Sequence, residues 1–322
     1  MKILFHTNTL SNRGTTVAIM DYAKYNQSLL GNDSIIAYPT NFNDPGIPPD
    51  SLTRPEVVDA VSKEFNLFGY SSKQELEEYC IKNNIDYSYY IKGGFYDGQL
   101  TQSTKNLIHA VFQANQPHGD RYAYVSEWLS KQMSNGTIDY VPHIVDLPIE
   151  SKSDFRAKHN IPKDKIIIGR IGGFHQFDIF WVAQTVADFA YTNPNYIFVF
   201  VNTFKFVDLP NVLFLDSIFD EQEKTDFIVS CDGMIHARSD GESFGIAISE
   251  GLFHNKPVLC YNGGRDKHHI DLLQNTELLY NSATELIDKL TNIKSFTGNY
   301  NSIVNKFNPQ NVMDKFNKVF LL

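Results

Sequence analysis

Hydrophobic positions along the chain fall into two alternating patterns. Short runs rich in isoleucine, valine, phenylalanine and tyrosine are separated by longer segments in which apolar residues recur at helical spacing. In the first half, the short runs predict strands at 2–7, 34–39, 107–112 and 121–126. The helical spacing predicts helices at 15–25, 72–84 and 126–133. Strands that alternate with helices are typical of a parallel sheet with crossover helices.

The second half of the chain repeats this order. Its predicted strands are 165–172, 196–201, 211–216, 233–237 and 257–261, and its predicted helices are 179–191, 221–231 and 283–293. Two such series predict an α/β protein made of two Rossmann-like domains. We expect the domains to face a central cleft, because open parallel sheets bind ligands beyond the carboxyl ends of their strands.

Length and prolines set the expected domain boundaries. A chain of 322 residues exceeds the size that one hydrophobic core usually serves. Prolines interrupt a charged stretch between 142 and 165, which therefore reads as the interdomain linker. The last segment starts with a proline and continues with apolar residues at helical spacing, so it is expected to be a helix that packs back across the domain junction. The expected parts are 1–146, 147–306 and 307–322.

Composition limits the class of protein and its partners. Hydrophobic residues make up 42% and charged residues 20%, which is typical of a globular protein. The net charge is −9 and the basic residues are scattered, so nucleic acid is not an expected partner. The cysteines are three in number, far apart and in apolar surroundings, which indicates buried thiols in a reducing compartment, without a disulfide or a zinc site. The first apolar run is too short for a signal peptide or a membrane span, so a cytoplasmic location is expected, with peripheral contact to a membrane surface left open.

The stretch "HARSDGESFGIAISEGLFHNKPVLC", residues 236–260, contains the strongest chemical signal. Its pattern predicts a polar loop followed by a helix that begins at Phe244 or Gly245 and ends at Asn255. The start of a helix exposes unpaired N–H groups, here those of Phe244, Gly245 and Ile246, and can hold a diphosphate. Glu242 precedes the helix and Glu250 lies within it, so two carboxylates could accept hydrogen bonds from hydroxyl groups on either side of the phosphates. This combination predicts a nucleotide-sugar site.

A simpler interpretation of the two glutamates stays open at this point. Glu242 alone could favour a helix N-terminus, and Glu250 could be a solvated partner of His254 on the next turn. The nucleotide-sugar interpretation depends on the conjunction of both carboxylates with Ser243, Phe244 and Gly245.

The segment "GESFGIAISEGLFHNKPVLCYNGG" resembles the E-x7-E signature of the group 1 retaining glycosyltransferases, which have the GT-B fold. The segments "VSEWL", "VPHIVD" and "IIIGRIGG" are also similar to conserved segments of that family. The resemblance covers nearly the whole chain and is strongest at 142–264. It implies that domain 147–306 binds a nucleotide sugar and that domain 1–146 lies on the acceptor side.

The resemblance also implies roles for individual residues. Glu242 would contact the donor sugar, Glu250 the ribose, and Arg170 the pyrophosphate. His109 would lie near the reacting sugar, although a histidine in a strand is often only a hydrogen-bonded core residue. Further donor contacts are expected from Gly14, Ser243, Phe244, Gly245 and Ile246. Taken alone, Arg170 would more often be a surface residue and Gly14 a turn glycine.

The sequence departs from the family pattern at one position that usually holds a positively charged residue. A lysine usually follows the arginine by five residues, and here that position holds His175. A titratable imidazole then takes the place of a permanent charge. We hypothesise that His175 contacts the phosphates when protonated, with Lys205 or Arg13 as other sources of positive charge.

The implied activity is transfer of a hexose, with retention, from a nucleotide-diphosphate sugar to an acceptor hydroxyl on a glycan, a lipid-linked sugar or a similar molecule. No D-x-D pair occurs in the sequence, so no metal and no other cofactor is expected. The first alternative is a catalytically degenerate GT-B protein that binds a nucleotide sugar without turnover. The second is a nicotinamide oxidoreductase, which is disfavoured because no G-x-G-x-x-G follows a predicted strand.

Overall fold

Both series of predicted strands form parallel sheets in the computed structural model, which describes residues 1–41 and 52–322. The chain divides into two compact units. The first unit contains 1–144 and 307–322, and the second contains 145–306. Each unit has a six-stranded sheet.

The first unit has the strand order β3-β2-β1-β4-β5-β6, with every pair parallel. The three apolar residues at the centre of β1 are fully buried, as in a strand covered on both faces. Its elements up to the second unit are β1 (Lys2–His6), α1 (Gly14–Ser28), β2 (Asp33–Pro39), α2 (Pro55–Glu64), β3 (Asn66–Tyr70), α3 (Lys73–Asn83), β4 (Tyr87–Lys92), β5 (Lys105–Ala110), β6 (Arg121–Tyr124) and α4 (Glu127–Ser134).

Local signals fix the ends of two helices in this unit. The hydroxyl of Ser72 accepts a hydrogen bond from the Glu75 backbone and starts α3, and Ser126 does the same for Leu129 in α4. Both helices end at an asparagine in the left-handed conformation.

The second unit has the strand order β14-β12-β10-β7-β8-β9, again parallel, and a separate two-stranded ladder of β11 and β13. Its elements are α5 (Phe155–Lys158), β7 (Ile166–Arg170), α6 (Phe180–Thr192), β8 (Tyr196–Val201), β9 (Val212–Leu215), α7 (Glu221–Ser230), β10 (Gly233–His236), β11 (Gly241–Glu242), α8 (Ile246–Phe253), β12 (Val258–Tyr261), β13 (Asp266–Lys267), α9 (His268–Leu273), β14 (Leu279–Tyr280), α10 (Ala283–Thr291) and α11 (Asn301–Val304).

The last segment of the chain returns to the first unit. Helix α12 (Pro309–Phe316) is followed by a π-helical turn, Asn317–Leu321. Phe316 packs against Tyr22 and Tyr89 with ring centroids 5.3 Å apart in each case, and Phe320 lies 5.7 Å from His109. The segment therefore closes the aromatic core of this unit.

Most predicted elements are confirmed within two or three residues of their ends. The tyrosine-rich stretch at 85–98 contains β4, with Tyr89 and Tyr90 buried. Helix α2 and strand β3 were not predicted from the sequence. The three thiols are buried, as expected, and each is free in this structure. Within the described residues no helix has the length and apolar character needed to cross a membrane.

Candidate functional site

The candidate site lies in the second unit, where the strand order reverses. Strands β7 and β10 are neighbours although other strands separate them in sequence, and the chain leaves them in opposite directions across the sheet. Such a switch point is the usual ligand site of an open parallel sheet. Arg170 is the last residue of β7 and His236 the last of β10. The loop after β10 carries Glu242 and leads into α8.

A glycine and an aspartate hold this loop in place. Gly241 has φ of 72°, and a Cβ there would come within 2.0 Å of the Asp266 carbonyl oxygen, so only glycine fits. Asp178 accepts hydrogen bonds from the backbone N–H of Ser239 (2.7 Å) and from its hydroxyl (2.6 Å). The loop is thereby fixed on both sides of Asp240, just before Glu242.

Helix α8 begins without a capping side chain. Its N-cap is Gly245, in the left-handed conformation with φ of 84°. The first N–H groups of an α-helix have no partner within the helix, and the dipole makes this end positive. Phe244 is buried, and its ring stacks on His268 at 5.4 Å. Ser243 and Ile246 are half-buried on either side of Phe244 and Gly245. The backbone predicted to face a diphosphate therefore forms the start of this helix.

Glu242 is an ionised, partly buried carboxylate. Its side chain is 14% exposed and accepts hydrogen bonds from His236 Nε2 (2.9 Å) and from Arg238 Nη1 (3.2 Å). Burial alone would raise its pKa, but the hydrogen bond from His236 and the charges of His236 and Arg238 lower the pKa to about 2. Glu242 is thus a hydrogen-bond acceptor at neutral pH rather than a proton donor.

Glu250 lies in the interior of the unit, on the buried side of α8. Its Oε1 atom is 2.6 Å from Nζ of Lys224 in α7, and both side chains are 7% exposed. The simpler interpretation of Glu250 as a solvated partner of His254 is therefore wrong. Ile248 and Leu252, which are one helical turn apart, are also buried in α8.

Arg170 is 2% exposed and binds backbone around the ends of β7 and β8. Its Nη1 donates to the Asn202 carbonyl (3.0 Å) and the Thr203 hydroxyl (2.7 Å), and its Nη2 donates to the Gly173 carbonyl (2.9 Å). Burial lowers its pKa to about 10, opposed by the negative charges of Glu242 and Asp178. Arg170 is therefore a cation at neutral pH, near Glu242 and not on the surface. Its Nε atom is buried and lacks a hydrogen-bond partner among the residues described.

His175 lies on the exposed loop after β7. Its ring is 6.3 Å from that of Phe204 in a stacked orientation and 4.8 Å from that of Phe174. Lys205, considered as a replacement cation, forms an exposed ion pair with Asp208 at 2.6 Å.

Two predicted residues belong to the first unit. Gly14 is the first residue of α1, whose N-cap Arg13 makes no side-chain capping bond. His109 is fully buried: Tyr89 donates to its Nδ1 (2.6 Å), and its Nε2 donates to the Val141 carbonyl (2.8 Å). Burial lowers the pKa of His109 to about 4. This geometry favours the alternative given from the sequence, that His109 is a hydrogen-bonded core histidine.

The sequence did not single out three residues that shape the site. His236 and Arg238 bind Glu242, and Lys224 binds Glu250. His236 and Arg238 lie in the quoted stretch, six and four residues before Glu242, and two basic residues at the end of a predicted strand could have indicated their role. Lys224 was detectable only as a lysine next to the buried Thr225, Phe227 and Ile228 of its helix.

No protein-family model and no curated protein sequence matches the chain. Solved structures do resemble it along nearly its full length. A glycosyltransferase from Rickettsia africae has a TM-score of 0.71 at 14% identity, covering 99% of this chain and 97% of that one. HepE from Anabaena, in complex with UDP-glucose, has a TM-score of 0.73 at 14% identity, with coverage of 99% and 98%. TarM from S. aureus has a TM-score of 0.68 at 10% identity, with coverage of 99% and 98%.

These likenesses establish the fold. The chain has the α/β GT-B fold of these glycosyltransferases, as the sequence predicted. Among the described residues no cluster of three or more histidine, cysteine, aspartate or glutamate side chains is arranged to hold a metal ion.

Proposed function

We propose that this protein is a glycosyltransferase that transfers a hexose, with retention and without a metal ion, from a nucleotide-diphosphate sugar to an acceptor hydroxyl. One observation carries the proposal. The uncapped start of α8 lies at the switch point of a parallel sheet, between two carboxylates, Glu242 and Glu250, that are both largely withdrawn from solvent. The GT-B fold supports it, since HepE has that fold and its structure contains UDP-glucose.

Each part of the donor has a matching group at this site. The diphosphate oxygens would accept hydrogen bonds from the N–H groups that begin α8, where the helix dipole favours negative charge. Glu242 would accept from hydroxyls of the transferred sugar and Glu250 from those of the ribose. Hydrogen bonds to a charged group stabilise a complex by about 1.5–3 kcal/mol each, so two carboxylates are enough to orient both rings.

In the proposed reaction the leaving phosphate acts as the base. The bond between the anomeric carbon and the phosphate oxygen breaks, a bond to the acceptor oxygen forms on the same face, and the acceptor proton passes to the departing phosphate. Arg170 and Arg238 would offset the negative charge that develops on that phosphate. Because Glu242 has a pKa of about 2, it serves as a charged acceptor that favours the positive character of the sugar ring in the transition state.

The acceptor is proposed to be a hydroxyl of a glycan or a lipid-linked sugar, bound on the side of the first unit. TarM has been crystallised with α-GlcNAc-glycerol, and it shares this fold. The three free, buried thiols support a cytoplasmic location.

The proposal is tested by measuring turnover. Purified protein is screened by thermal shift against UDP-, GDP- and ADP-sugars, and nucleotide release is then measured with an acceptor panel, with and without EDTA. We expect one donor to raise the melting temperature and to be turned over equally in both conditions. Glu242→Ala should lower kcat/KM by about 100-fold or more, whereas Glu277→Ala, a change at an exposed glutamate of the same unit, should leave it unchanged. Absence of binding to every donor would contradict the proposal.

A second candidate is a protein that binds the donor without turnover. The engagement of Arg170 by three protein groups, together with histidine in place of the usual lysine, favours it. Donor binding that is lost in Glu242→Ala, with no nucleotide release over the whole acceptor panel, would select this alternative.

A further inference from the structure

A buried ion pair joins α7 to α8 behind the proposed site. The Lys224 Nζ and Glu250 Oε1 atoms are 2.6 Å apart, and each side chain is 7% exposed. Lys224 follows the first turn of α7, which Asp220 caps by accepting from the Glu223 N–H group. The lysine is therefore held on a rigid element rather than on a loop.

A buried ion pair of this kind contributes little to the free energy of folding. Desolvating two charges offsets most of their attraction, and apolar residues of similar volume often serve a core better. The other buried residues of α8 are Ile248, Ser249, Gly251 and Leu252, and none of them carries a charge. This points to a role for the Glu250 carboxylate outside packing.

The ion pair with Lys224 uses only one of the two carboxylate oxygens of Glu250. Among the residues that the structure describes, Lys224 is the one side chain that hydrogen-bonds to Glu250, and it binds Oε1. The Oε2 atom can still accept hydrogen bonds. A carboxylate with one oxygen bound to an ammonium group is fixed in rotation and directs its second oxygen in one direction.

We propose that Lys224 is a positioning residue that makes the site selective for ribonucleotide donors over deoxyribonucleotide donors. This inference rests on the proposed function, in which Glu250 faces the ribose. Lys224 holds the carboxylate in one orientation, and Glu250 Oε2 accepts a hydrogen bond from a ribose hydroxyl. A nucleotide without that hydroxyl leaves the oxygen unpaired and binds more weakly.

The test compares matched nucleotides by isothermal titration calorimetry. UDP, GDP and ADP are each titrated beside their 2′-deoxy and 2′,3′-dideoxy forms, and the base that binds most tightly is used. We expect the wild type to prefer the ribonucleotide by about tenfold or more. Lys224→Met should bring the dideoxy/ribo ratio of Kd to within about twofold of one. Lys224→Arg, which keeps the cation, should retain most of the preference.

A half-buried lysine of the same unit, Lys256, provides the control. Lys256 donates to the backbone carbonyls of Val229 and Cys231 at the end of α7, so Lys256→Met should lower stability but leave the Kd ratio at its wild-type value. If Lys224→Met does not fold, Lys224→Gln removes the charge while keeping a donor, and should lower the ratio at least threefold. A ratio near one in the wild type, or an unchanged ratio in a folded Lys224 variant, would overturn the inference while leaving nucleotide binding intact. Failure of every nucleotide to bind would overturn the proposed function and this inference with it.

Discussion

Gly245 connects the loop that carries Glu242 to the first turn of α8. Its φ of 84° costs a residue with a side chain about 1–2 kcal/mol, and an added Cβ would lie 3.4 Å from that of Glu242. Gly245→Ala should therefore lower the free energy of unfolding by that amount and weaken nucleotide binding by at least about tenfold. Gly136 has φ of 77° with no atom within 4 Å of an added Cβ, so Gly136→Ala should show the same loss of stability with unchanged affinity. Equal affinity losses in both variants would contradict the assignment of the site.

The buried position of His109 predicts a specific pH dependence of the free energy of unfolding. The unfolded imidazole binds a proton near pH 6.5, whereas the folded one does so only at about pH 4. Its contribution to stability is therefore fully present above pH 6.5 and is lost as the pH falls to about 4, by about 3 kcal/mol in total. Urea unfolding at pH 7.5, 6 and 5 should show a smaller loss for His109→Gln than for the wild type. His118→Gln, at a loop histidine of the same unit, should follow the wild type. Parallel pH profiles for wild type and His109→Gln would show that His109 is protonated in the folded state.

At the scale of elements, helix α7 makes two sets of contacts. Its Lys224 binds Glu250, and its Asp226 binds residues 151–153 near the start of the second unit. Burial alone would raise the pKa of Asp226, but hydrogen bonds from the Ser153 hydroxyl, the Lys152 N–H group and the Ser151 hydroxyl lower the pKa well below its usual value. This contribution to stability is present above the usual carboxyl pKa and is lost as the pH falls below it.

Asp226→Asn should therefore lower the free energy of unfolding by about 1–3 kcal/mol at pH 7, measured by urea denaturation. Asp208→Asn, which removes an exposed ion pair with Lys205, should change the free energy of unfolding far less, because solvent screens this pair. If the two variants were equally stable, the hydrogen bonds to Asp226 would have no net effect on stability.

Periodicity predicted most elements but not their pairing. Apolar runs such as 196–201 marked central strands, because both faces of those strands are covered. Strand β3 was not predicted, because it is a half-buried edge strand interrupted by Gly69. The ion pair between Lys224 and Glu250 joins residues 26 apart in sequence, and only the packing of α7 beside α8 brings them together. The core position of His109 likewise depends on partners in β4 and at Val141, which strand periodicity does not identify.

At the scale of the whole molecule, two six-stranded sheets of parallel strands give the GT-B fold, and the site proposed here for a nucleotide sugar lies in the second unit. Although the chain has a net charge of −9, two cations interact with Glu242 at the proposed site: Arg238 by an ion pair and Arg170 through its charge. Fold and local charge thus support the same proposal independently.

A crystal structure of the protein with the best-binding nucleoside diphosphate tests the central claim most directly. We predict density for the phosphates against the N–H groups that begin α8, with the ribose hydroxyls within hydrogen-bonding distance of Glu250. Density for the nucleotide at any other surface, with the start of α8 bound only to water, would contradict the account.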